Sequence, residues 1–200
     1  MVLLKETDLE SDAGLIEECR RGDSRAFDTL VNRYKDRVYN AAYRFLGHHE
    51  EASDVCQEVF VRAYRAIATF EGKAKVSTWL YSITLNLCRN RVRDSKRKGR
   101  DKGVSLELLQ ERAPGRADAV GGGGTSPSDT AVRAELEVAV QACLEALPEH
   151  YRMTFILRIY EDLAYEEIAQ AMGCPAGTVK SRLNQARSLL RTCLTERDVL

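Results

Sequence analysis

LAYEEIAQAMGCPAGTVKSRLNQARSLL, residues 163–190, reads as two helices joined by a tight turn. Ile168, Ala169 and Met172 give the first helix an apolar side. Gly173 suits the left-handed residue that ends it, because it has no Cβ to clash. Pro175 suits the first turn of a new helix. In that helix Val179, Leu183, Ala186 and Leu190 recur at helical spacing and form one apolar face. The remaining faces carry Thr178, Lys180, Ser181, Arg182, Asn184, Gln185, Arg187 and Arg191. Between Ala176 and Arg191 there are four basic residues and no acidic one. This is a helix-turn-helix pattern, whose second helix is shaped to enter a DNA major groove.

Working upstream, Pro148 opens a helix holding Tyr151, Phe155, Ile156, Ile159 and Tyr160. Ser128 caps a longer helix running to Leu147, with Val132, Leu136, Val140, Cys143 and Leu147 inward. Residues 98–127 differ in kind. They carry Gly103, Pro114, Gly115, Gly121 to Gly124, Ser126 and Pro127, and read as a flexible linker with one short helical turn around Leu106, Leu108 and Leu109. Some thirty such residues reach on the order of 30 Å. The glycine run is not a phosphate loop, since no strand precedes it and no Gly-Lys-Ser/Thr follows.

The first half of the chain is also helical. Residues 1–22 form an acidic segment with a short amphipathic helix from Asp12 to Gly22, with Leu15, Ile16 and Cys19 inward. Asp23 and Ser24 are cap candidates for a long helix that ends at Gly47, with Phe27, Leu30, Val31, Tyr34, Val38, Ala41, Ala42 and Phe45 inward. A third helix spans about Glu50 to Ile67, with Ala52, Val55, Val59, Phe60, Ala63 and Ile67 inward. Its acidic start suits the helix dipole. Asp54, Gln57, Glu58 and Val61 form a polar patch on adjoining positions of that helix. Thr69 to Lys75 breaks the period at Gly72. Ser77 caps a fourth helix with Leu80, Ile83, Thr84 and Leu87 inward. Trp79, Tyr81, Asn86, Arg89, Asn90 and Arg93 lie towards its other side. Aromatic planes, amides and cations so placed suit unpaired bases. No strand shows convincing alternation. The expected architecture is all-α: two small helical domains, at 23–97 and 128–195, on a tether.

The formal net charge is zero, yet the charges are divided. From Met1 to Glu18 there are six acids and one base, while Arg89 to Lys102 holds eight bases and two acids. A basic block together with a basic recognition helix points to nucleic acid. No apolar run has the length of a membrane span, and the N-terminus lacks a signal pattern, so a cytoplasmic protein without direct membrane insertion is expected. The six cysteines, at 19, 56, 88, 143, 174 and 193, have no metal-binding spacing and read as ordinary thiols. His48 and His49 are neighbours in an interhelical loop, and His150 stands apart. No nucleophile–base constellation, metal site or cofactor site emerges, so an enzyme is not expected. A metal-dependent nuclease would need acids facing DNA, and those at 50–58 lie away from the basic segments. A free-standing repressor would leave the acidic patch and the tryptophan region without a use.

Three segments together resemble the extracytoplasmic-function (ECF) sigma factors of bacterial RNA polymerase, within the sigma-70 family. They are SDVCQEVFVRAYRAI at 53–67, FEGKAKVSTWLYSITLNLCRNRV at 70–92 and the run from Leu144 to Arg191. The likeness covers roughly Phe27–Arg97 and Val132–Leu194. It implies that the first domain is a sigma region 2 in which Asp54, Gln57, Glu58, Phe60 and Val61 dock on the β′ clamp helices of core RNA polymerase. It implies that the loop Phe70, Glu71, Gly72, Lys73, Lys75, Ser77 and Thr78 captures a flipped base of the −10 element. Trp79, Asn86, Arg89, Asn90 and Arg93 would follow along the melted strand and upstream duplex. The second domain would be a sigma region 4 that contacts the β subunit and reads the −35 element through Thr178 to Arg187. The linker would run towards the RNA exit path. Control by an anti-sigma factor is a further implication. The glycine-rich linker is longer than the compact family pattern.

Overall fold

The computed structural model describes residues 7–101 and 127–197. Among these there are eight α-helices and one 3-10 turn, with no strand. The short turn expected at Leu106–Leu109, the four-glycine run and the start of the acidic segment lie outside the described residues.

The first domain is built on α1 (Thr7–Arg20), α2 (Ser24–Leu46), α3 (His49–Ala66) and α4 (Val76–Asp101), with the 3-10 turn Ile67–Thr69 after α3. Asp23 caps α2, its carboxylate accepting the Arg25 N–H at 2.8 Å. Gly47 ends α2 at φ 76°, its N–H bonded to the Tyr43 carbonyl. The positive φ disfavours any side chain at Gly47, and a Cβ there would also have to displace the Glu145 carboxylate. Leu30, Tyr34, Val38, Ala42 and Phe45 of α2 pack on Ala52, Val55, Val59 and Ala63 of α3. Each valine so buried is worth about 1.5–3 kcal/mol relative to exposure. Asp12 of α1 is buried and accepts from the Tyr34 hydroxyl and from Arg33, which ties α1 to α2.

The second domain comprises α5 (Pro127–Ala146), α6 (Glu149–Ile159), α7 (Tyr165–Met172) and α8 (Ala176–Thr195). Glu167 reaches back to the Ala164 N–H at 2.8 Å and caps α7. Gly173 stands at φ 62° and turns the chain into α8. Ile168, Val179 and Leu183, all fully buried, set the crossing of α7 and α8, and Met153, Ile156 and Leu157 of α6 close beneath them. Cys143 and Leu144 of α5, with Leu147 just beyond its end, pack on Ala186 and Leu190 of α8.

Several expectations need correction. Helix α4 starts at Val76, so Ser77 lies inside its first turn. The Lys75 carbonyl already accepts the Trp79 N–H at 3.0 Å and takes the entry position. The same helix runs on to Asp101, past the expected boundary at residue 97. Helix α5 starts at Pro127, whose missing N–H costs nothing in a first turn, so Ser128 is not its cap. Leu136 and Ile159 are exposed, not inward, because neither lies where its helix is packed. Tyr81 was placed on the open side of α4 but is 1% exposed. Glu58 comes within 3.8 Å of Arg91 on α4, so this acid does not lie away from the basic segment. Cys143 and Cys193 form a disulfide between α5 and α8, with Cα atoms 5.8 Å apart, instead of two ordinary thiols.

The two domains also touch. Their apolar residues merge into one core that includes Val38 and Leu85 from the first and Met153, Leu163 and Ile168 from the second. Helix α7 packs on α4, and α5 and α6 pack on α2.

Candidate nucleic-acid interface

Three surfaces collect the residues singled out from the sequence. The first is α3. Asp54, Gln57 and Val61 are exposed there, whereas Phe60 is 8% exposed and belongs mainly to the core. Glu58 is held by Arg62, with Nε at 3.0 Å. Beside these residues runs an apolar groove of about 720 Å³, lined by Phe27, Val31, Phe60, Val61 and Tyr64 with Lys35, Cys56, Gln57 and Arg65 at its edges. Phe27 and Tyr64 meet edge to face at 5.0 Å. Sequence periodicity assigned Phe27 and Val31 to the core and overlooked Tyr64. Val61 and Tyr64, two apolar residues left about half exposed three positions apart on α3, mark it.

The second surface is the loop before α4 and the outer face of α4. Arg20 of α1 donates to the Phe70 carbonyl and anchors the loop. The Phe70 ring lies 4.7 Å from the Trp79 ring, so the tryptophan is half-buried and braces the loop. Gly72 turns the loop at φ 70°. Glu71 pairs with Lys73, and Lys75 pairs with Glu167 at 2.8 Å. Partial burial pushes the Glu167 carboxyl up, but the Lys75 ammonium and the Ala164 N–H outweigh it and hold it below its ordinary value. Thr78 is buried, and its hydroxyl has no hydrogen-bond partner among the described residues; it is not a contact surface in this arrangement. Ser77 is half-buried. Further along, Asn86, Arg89, Asn90 and Arg93 recur at helical spacing. With Lys96, Arg97 and Glu149 they line a cleft of about 600 Å³.

The third surface is α8. Lys180, Ser181, Asn184, Gln185 and Arg187 are exposed, and Thr178 and Arg182 are half-buried. Ser181 donates to the Thr178 carbonyl at 3.0 Å. Arg182 points back to the Cys174 sulfur at 3.6 Å. The opposite face, Val179, Leu183 and Ala186, is fully buried, so the polar face is turned outward as a unit.

Residues 30–98 match the family model for sigma-70 region 2, and residues 137–190 match that for sigma-70 region 4. The RNA polymerase sigma-H factor of Pseudomonas aeruginosa is 38% identical over 92% of this chain and 94% of its own length. The chain belongs to the ECF sigma factors of the sigma-70 family. The ECF RNA polymerase sigma factor SigW of Bacillus subtilis is 35% identical over 90% of this chain and 95% of its own. The fold matches that of CnrH in its complex with the cytosolic domain of CnrY, with a TM-score of 0.67, 24% identity and coverage of 93% and 98% of the two chains. Among the described residues of this sigma factor, no helix is long and apolar enough to cross a membrane. None of its described His, Cys, Asp and Glu residues form a group of three or more placed to hold a metal ion.

Proposed function

We propose that this chain is an alternative sigma factor that binds core RNA polymerase and directs initiation at promoters carrying its own −35 and −10 elements. Membership of the ECF sigma factors, matched in both the region 2 and the region 4 segments, carries the reading. Residues 23–97 engage the polymerase and the −10 element, and residues 128–195 engage the −35 element. Asp54, Gln57 and Val61, with the groove beside them, dock on the β′ clamp helices. An apolar groove rimmed by charge suits a helix laid along it. The loop from Phe70 to Lys75 holds a flipped base, Trp79 fixes the loop, and Asn86, Arg89, Asn90 and Arg93 follow the DNA backbone. Separating and unstacking bases costs a few kcal/mol each, so a stacking surface and basic side chains must offset it. On α8, Lys180, Arg182 and Arg187 supply cations for phosphates or guanines, and Ser181, Asn184 and Gln185 are base readers of the −35 element.

No bond chemistry is assigned to the chain; it acts in the cytoplasm as a specificity subunit, under an anti-sigma factor. The test is run-off transcription with purified core enzyme and permanganate footprinting of unpaired thymines. Specific starts and −10 melting should require both core and this chain. Tight sequence-specific binding by the free chain, with no melting when core is added, would refute the proposal.

A further inference from the structure

We infer that Arg20, the last residue of α1, is a positioning residue for base selection at the −10 element: it holds one peptide group of the 70–75 loop in a single orientation. The inference rests on the assignment of that loop to the −10 element.

The loop has little of its own to hold it. Phe70 leaves the 3-10 turn in an extended conformation, with its N–H bonded to the Ile67 carbonyl at 3.2 Å. Among the described residues, Glu71, Gly72 and Lys73 make no main-chain to main-chain hydrogen bond. Gly72 stands at φ 70° with nothing within 4 Å of the place a Cβ would take, so the tip lies in open space. Rotating the Phe70–Glu71 peptide changes only ψ of Phe70 and φ of Glu71, and no ladder or helix bond opposes it.

Arg20 supplies that restraint. One arm of its guanidinium donates to the Phe70 carbonyl, 50 positions away in sequence, and the other lies 3.4 Å from the Glu17 carboxylate. A guanidinium presents its donors in a rigid planar fork, so Glu17 on one arm steers the other. The peptide group is planar and trans, so fixing the carbonyl also fixes the Glu71 N–H, which points the opposite way, away from α1. Helix α1 is itself held. Asp12 is buried against Tyr34 and Arg33 of α2, Ile16 is buried in the core, and Leu15 and Cys19 pack on it. The helix also packs on the 3-10 turn just before Phe70. It is a strut from the core to the loop. Arg21 carries the same charge one position on, yet its side chain is 74% exposed and its guanidinium bonds only to Glu17 among the described residues. A site reads a base by where its donors and acceptors stand, so a peptide free to rotate blurs the choice.

The experiment uses holoenzyme assembled from core RNA polymerase and the full chain, or its Arg20→Ala, Arg20→Lys or Arg21→Ala variant. A promoter selected from a random library by the parent holoenzyme is substituted singly at each −10 position, and in a second set at each −35 position. Abortive-initiation rates give the discrimination at each position. Arg20→Ala should lower −10 discrimination by about fivefold, the weight of one hydrogen bond, and leave core affinity and −35 discrimination at parental values. Arg20→Lys, which keeps a donor on a stem of similar reach, should restore most of it. Arg21→Ala should match the parent. Parental −10 discrimination in Arg20→Ala would overturn the inference, as would an equal loss in Arg21→Ala, which would assign the effect to charge. A loss spread over −10, −35 and core affinity alike would reduce Arg20 to a fold-supporting residue and overturn it too. A parent that initiates with core but shows no base preference at −10 would remove the loop assignment beneath the inference. No core-dependent initiation from any form, parent included, would overturn the sigma reading itself.

Discussion

Arg37 and Glu161 meet at 3.3 Å across 124 positions of sequence, and the arginine spans both the carboxylate and the Glu161 backbone carbonyl. Tyr81 completes the set by donating its hydroxyl to the same carboxylate. Glu161 and Tyr81 are 7% and 1% exposed, so the centre of this contact between the domains is shielded from water.

Removing one member should be felt in stability. Glu161→Ala strands Arg37 and the Tyr81 hydroxyl and should cost about 2–3 kcal/mol, at or below the usual value for a broken buried pair, because Arg37 keeps some access to water. Tyr81→Phe removes one bond to a charged acceptor and should cost about 1.5–2 kcal/mol. Urea titration followed by circular dichroism measures both. A midpoint unchanged in both variants would contradict the structural role given to the trio.

High pH should destabilise the chain in two stages. Burial pushes the Cys88 thiol up from 9.0 to about 12. Burial, and then the Glu161 charge, push the Tyr81 hydroxyl well above its ordinary 10.0; burial and the Asp12 hydrogen bond do the same for Tyr34. A raised folded value means that the native state keeps protons the unfolded chain gives up. Stability is then full below pH 9.0 and declines as pH climbs towards about 12. The slope is about 1.4 kcal/mol per pH unit for each group, and steepens once the tyrosines join. Cys88→Ala should flatten the first stage and leave the second. Denaturant midpoints across that range decide it.

Reduction should weaken the second domain. The Cys143–Cys193 bond closes a loop with a sequence separation of 50, joining α5 to the end of α8. A loop of that length corresponds to about 4 kcal/mol on chain-entropy grounds, as an upper figure. Melting with and without dithiothreitol should show a large downward shift for the parent and none for the Cys143→Ser/Cys193→Ser double variant. A parent indifferent to reductant would show that the bond does not hold the domain.

Docking on core polymerase should depend on the α3 groove more than on its acids. Glu58 is already engaged by Arg62, whereas Val61 and Tyr64 are exposed apolar residues at 48% and 58%. Val61→Asp should reduce core affinity at least tenfold, about 1.4 kcal/mol, with helical circular dichroism unchanged. Glu58→Gln should do less. Pull-down with core enzyme ranks the two, and equal affinity of Val61→Asp and parent would remove the groove from the interface.

Much of the helical framework was legible in the chain. Val179, Leu183, Ala186 and Leu190 repeat at helical spacing and are all buried. Asp23, Gly47 and Gly173 stand at the ends where their side chains, or the lack of one, suit a cap. These features depend on neighbours three or four residues away, and local spacing carries that information. The outward face of α8 follows from the same rule, since fixing one side of a helix fixes the other.

Tyr81 and Cys143 show where local reading stops. Tyr81 lies off the apolar stripe of α4, and a helix packed on one side would leave it wet. It is buried because a second domain, whose Glu161 lies 80 positions away, covers that side. Cys143 fits an apolar stripe as well as any small residue does, and its bond to Cys193 depends on how α5 lies across α8. In the same way Lys75 of the loop and Lys96 of the basic block are held by acids from the other half of the chain, which no local pattern announces. Periodicity reports that a face will be covered; which distant segment covers it depends on how whole helices pack, and that is a property of the tertiary structure.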